Sequence, residues 1–106
     1  AVSNTNSVSN TYTWTYDGTA PTMAITSATV VSGASTGTAA VALTFTSSEA
    51  TTDFVQDDIT ESGCSLGSSL GATSSLIYTD TCTASSDGTP TVSVAAGTFN
   101  DALGND

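Results

Sequence analysis

No lysine, arginine or histidine occurs anywhere in the 106 residues, against eight aspartates and two glutamates. A net charge of −10 with no base excludes nucleic acid and anionic membrane as electrostatic partners. Side-chain salt bridges cannot form within the chain, and trypsin finds no site. The same gap removes most catalytic machinery. There is no Ser-His pair, no Schiff-base lysine and no guanidinium clamp. Only carboxylates remain for acid–base work. Asp57 and Asp58 are adjacent, so on an extended segment they point apart and make a poor glycosidase pair. The chain reads as a non-enzyme.

Other absences narrow the class further. No apolar run is long enough to span a bilayer, and no signal peptide is visible. The sequence reads as a mature or excised segment, of one domain's length. No helical periodicity of useful length is present. Asn4, Asn6, Asn10, Asn100 and Asn105 all lack Ser or Thr two residues on, so N-linked glycan is not expected. Cysteine occurs only twice, at Cys64 and Cys82. Without His or a third Cys, a zinc site is not expected, and no cation is present to lower a thiol pKa. A disulfide is the reading, implying an oxidising extracellular setting; two buried free thiols are the alternative.

What is abundant is Thr and Ser, more than a third of the chain. Thr suits strands, and Gly and Ser suit turns. The hydroxyls leave O-linked glycan open. Residues 11–16, TYTWTY, alternate strictly, with Tyr12, Trp14 and Tyr16 on one face and threonines on the other. That is a strand with one aromatic face, and burial in a core is its expected use. It runs into Asp17-Gly18-Thr19-Ala20-Pro21, which is turn and linker chemistry.

Downstream, alternation predicts strands over 22–31, over 38–46 (Val41, Leu43 and Phe45 on one face) and around Phe54 and Ile59. Residues 62–72 (Cys64, Leu66, Leu70) read as a strand followed by a loop, and further strands follow over 75–83 (Leu76, Tyr78, Cys82) and over 91–95 (Val92, Val94). Turn signals at 32–37 and 85–89 separate them, and 99–106 reads as a loop of Asx turns. About seven short strands with no helix between them predict an all-β, antiparallel two-sheet sandwich.

The segments TYTWTYDGTAPT, TFTSSEAT (44–51), DDIT (57–60), SDGTPTVSV (86–94) and AAGTFNDALGND (95–106) together resemble bacterial-type immunoglobulin-like repeats. Such repeats occur in large surface proteins and adhesins, and in secreted proteins of marine protists. The resemblance implies an immunoglobulin-like sandwich in a stalk or surface module. Cys64 and Cys82 depart from the commonest family pattern. In the usual repeat the TYTWTY-like strand comes last, after the NDALGND loop; here it comes first.

The resemblance thus divides the chain into residues 1–17, a polar arm and a strand completing a sandwich, and 18–106, an immunoglobulin-like domain lacking its final strand. The arm would complete a neighbouring unit, by tandem repetition or donor-strand complementation, or fold back on its own domain. Either of the first two joins copies head to tail into a stalk, fibre or appendage filament. The competing reading is an adhesive module recognising glycan or another surface. No cofactor is required. Related repeats hold calcium at domain junctions, and the matching residues here are Asp17, Glu49, Asp101 and Asn105, with Asp106 beside them.

Overall fold

The computed structural model describes residues 4–67 and 70–106. Among the described residues seven strands form: β1 Met23–Thr26, β2 Ala40–Ser47, β3 Ile59–Ser62, β4 Cys64–Leu66, β5 Gly71–Ala72, β6 Ile77–Ala84 and β7 Thr91–Val94. All pairings are antiparallel. One sheet runs β1-β2-β6-β4, with β5 also on β6, and the other holds only β3 and β7. The fold is the expected all-β sandwich, with unequal layers.

The alternation expected of residues 38–46 and 75–83 produces the two long central strands. Along β2, Leu43 and Phe45 turn inward; along β6, Tyr78, Asp80 and Cys82 do, and Thr79, Thr81 and Thr83 face water. Phe45 is wholly buried. It meets Phe54, which also stacks edge-on against Tyr78 and Phe99. These rings fill one end of the space between the sheets. Tyr78 donates its hydroxyl to the Thr51 carbonyl at 2.9 Å, which ties β6 to the corner after β2. Burial, then the Asp53 charge, pushes its phenol above the ordinary value of 10.

Several boundaries differ from expectation. The first predicted strand ends at Thr26, because Ser27 breaks the alternation with a local turn. Its hydroxyl accepts from Thr29 and donates to the Ala42 carbonyl. Phe54 lies in a loop, followed by a 3-10 turn at Gln56–Asp58 in which Asp58 accepts the Val55 N–H. Leu76 precedes β6 and is exposed. Part of the predicted segment 62–72, Ser68 and Ser69, lies outside the described residues.

Cys64 and Cys82 are disulfide-bonded, with Cα atoms 5.5 Å apart and a sequence separation of 18. The bond joins neighbouring strands β4 and β6 of one sheet. β4 has only three residues, so the covalent link does what its short ladder cannot. In the chain-entropy account a loop of this length contributes about 3 kcal/mol. Replacing both cysteines with serine is expected to lower the unfolding free energy by about that amount, read from urea unfolding, with a steeper slope because the unlinked denatured chain exposes more surface.

Candidate functional site at the arm and its root

Residues 4–16 are extended, carry no ladder hydrogen bonds and stand away from the domain. The molecule measures 92 × 22 × 21 Å, with a radius of gyration of 22.2 Å. A compact chain of this length would have a radius near ~13 Å. At ~3.3 Å per residue, residues 4–16 account for roughly 43 Å of the long axis. Tyr12, Trp14 and Tyr16 are 80%, 77% and 86% exposed, and among the described residues the ring partner of Trp14 is Tyr12, at 5.9 Å. The strand does not fold back on its own domain. Expected as a paired strand, it has the pattern of one and no strand partner among the described residues.

The linker fixes how the arm leaves. Asp17 closes an Asx turn by accepting the Thr19 N–H at 3.0 Å. Thr22 and Ser48 then exchange two bonds, Thr22 N–H to the Ser48 hydroxyl and Ser48 N–H to the Thr22 carbonyl, both 2.9 Å. Pro21 lies half-buried between these two anchors. Asn105 donates from its side-chain amide to the Asp17 carbonyl at 2.9 Å and to Asp101 Oδ2 at 2.9 Å. The loop after β7 and the base of the arm are thereby held together across 88 residues of sequence.

This contact gathers three acidic residues expected from far-apart segments. One carboxylate oxygen each from Asp17, Glu49 and Asp101 lies within 4.8 Å of the others. Asp101 is buried and well satisfied: its Oδ1 accepts the N–H groups of Leu103 and Asn105 at 2.8 and 2.9 Å. These bonds, Asn105's first, hold its carboxyl below the ordinary range against the opposing effect of burial. Glu49 is the reverse case. Its Oε2 is shut off from water and has no hydrogen-bond partner. Burial first, then the charges of Asp17 and Asp101, push its carboxyl above the usual 4.5. With no base in the chain, only N–H donors, a proton or a cation can offset the three charges, and Glu49 Oε2 has no donor. Three carboxylate oxygens this close together are of the ligand class that a hard cation such as calcium takes. Asn105 holds the group together through its amide nitrogen.

Asp80 is a buried residue that the strand reading passed over, although it sits in phase with Tyr78 and Cys82 on β6. It accepts from the Gln56 side chain at 2.8 Å and the N–H groups of Gly67 and Thr81 at 3.1 and 2.7 Å. A Cβ on Gly67 would come within 2.9 Å of that carboxylate, so glycine permits the approach. Its bonds are all internal, and it braces β6 against the loops beside it.

A family model for the bacterial Ig-like domain matches residues 17–106. The chain belongs to that family. The match begins at Asp17, the residue at which the arm meets the domain. Bacterial Ig-like domains are typically non-enzymatic modules of surface or secreted proteins, and the disulfide fits an oxidising setting. No described helix is long and apolar enough to cross a membrane. Searches of curated proteins and of solved structures return no match.

The Glu49 shift has a definite sign. Between 4.5 and its raised value the folded state holds more protons than the unfolded chain, so stability falls as pH rises through that window. Asp101 acts oppositely: its contribution is present above its unfolded value of 3.8 and is lost as pH falls through the lowered one. In chelator, Glu49→Gln is expected to raise the melting temperature at neutral pH by a few degrees and to leave it nearly unchanged under mild acid. Thermal melts across that range check both.

Proposed function

We propose that this domain is an extracellular structural module whose copies join head to tail into a stalk, fibre or appendage filament. The single observation supporting the reading is the aromatic strand held away from its own domain. An extended segment with three exposed rings on one face is costly to leave in water, because each ring offers 150–250 Å² of surface for burial. A linker anchored by hydrogen bonds at Asp17 and Thr22 directs it outward. A contact between one unit's arm and another unit's body is heterologous and does not close on itself, so it propagates as a linear array. Tandem repetition within a longer polypeptide and strand donation between separate subunits give the same array.

Calcium at Asp17, Glu49 and Asp101 would supply the missing positive charge at the root of the arm and stiffen the joint between units. The unpartnered Glu49 oxygen supports this part of the reading. The ion's share of stability would grow with its free concentration by mass action. Calcium is expected to raise the melting temperature of the native chain, and excess chelator to reverse it. An identical melt in both removes calcium from the account.

A second reading follows from the same exposed rings: aromatic side chains on a strand can stack on sugars, as an adhesive module would use them. The two diverge in one preparation. Concentrated protein at physiological salt is expected to show unbranched fibres by negative-stain microscopy, with an axial repeat of roughly 50 Å once the ~3.3 Å-per-residue arm is overlapped with a neighbour. A chain that stays monomeric by light scattering while being retained on a glycan column supports adhesion instead.

A further inference from the structure

The sandwich is closed at one end and open at the other. Near the arm's root, Phe45, Phe54, Tyr78 and Phe99 fill the space between the sheets. Toward the far end, Ile25, Val41, Leu43, the Cys64–Cys82 bridge and Val92 line a cleft of about 870 Å³. Ile25, Val41 and Val92 are only half-buried there. β7 borders this cleft. It pairs with β3 on one side, and among the described residues no backbone bond joins Thr91–Val94 to anything else. A bare strand edge beside uncovered apolar surface is what an added strand completes.

We propose that this cleft, with the free edge of β7, is the acceptor for residues 11–16 of a second copy of the chain, laid antiparallel to β7. The proposal rests on the head-to-tail reading above. Strand polarity selects the second copy. The arm joins its own domain at the end where β7 finishes, since Asn105, beyond β7, holds the Asp17 carbonyl. Folded back, it would run toward that end, as β7 does, and so lie parallel to it. An antiparallel edge strand must enter at that end and leave at the open one, and another copy's arm can do so. In this direction Tyr12 lies toward Val94, Trp14 further along and Tyr16 at the open end, so the large rings meet the cleft. The linker then emerges at the open end and places the donor's acidic base against the acceptor's loops 27–39 and 84–90.

The test uses two full-length variants and the sole tryptophan, Trp14, as reporter. Trp14→Ala blunts the arm and leaves the cleft intact. Val92→Asp puts a carboxylate in the cleft and leaves the arm intact. Each alone is expected to remain monomeric. Their equimolar mixture is expected to give a capped heterodimer of twice the monomer mass, with tryptophan emission shifted to the blue. Fibres from Val92→Asp alone, with blue-shifted emission, would overturn the assignment of the acceptor and leave the head-to-tail reading standing. Wild-type protein that stays monomeric with solvent-exposed emission at every concentration would remove both. Should Val92→Asp fail to fold, full-length Thr13→Cys and Ser93→Cys chains are mixed and oxidised. A disulfide between copies supports the pairing, and its absence from wild-type-like fibres overturns it.

Discussion

Two sheets of unequal width cannot cover one another. Five strands face two, so the wide sheet offers more apolar face than β3 and β7 can shield. A sandwich is stable only when both inner faces are covered. At one end aromatic rings make up the difference; at the other a cleft remains over Val41, Leu43 and the disulfide. The same chain carries an alternating aromatic strand whose attachment gives it the wrong direction for its own cleft. Shortage and surplus in one molecule are the physical basis of the proposed assembly in series.

The second constraint is charge. Ten carboxylates without a single base leave most acidic groups to water, but three are drawn together at the root of the arm. Asp101 is committed to backbone N–H groups and to Asn105, and Asp17 to its Asx turn. Glu49 is the one left over, and its raised pKa follows from that. The cluster therefore sits where it can alter the angle of the arm. On the proposed head-to-tail reading, protonation or a cation acting there would change how one unit presents its strand to the next.

Much of the fold was legible because it rests on period-two alternation. Val41, Leu43 and Phe45 announced β2, and Tyr78 and Cys82 announced β6. The disulfide followed from elimination. The acidic group was legible only through the family resemblance, since Asp17, Glu49 and Asp101 come from three distant segments. Boundaries were less legible. The Ser27 hydroxyl ends β1 early by bonding to the backbone of another strand, a tertiary choice that local pattern does not carry. Asp80 was missed because a charged residue in phase with Tyr78 and Cys82 is not counted among core positions. Only Gln56 and Gly67, brought in by folding, make its burial tolerable. Phe54 looked like strand and is core from a loop, held by rings on either side.

The most direct measurement is a density map of the assembled state that resolves which copy surrounds the Trp14 indole. The account predicts that ring between β7 and the wide sheet of a neighbouring unit, near its Cys64–Cys82 bridge, with the strand antiparallel to β7. An indole packed inside its own unit, or left in solvent within an ordered fibre, would contradict it.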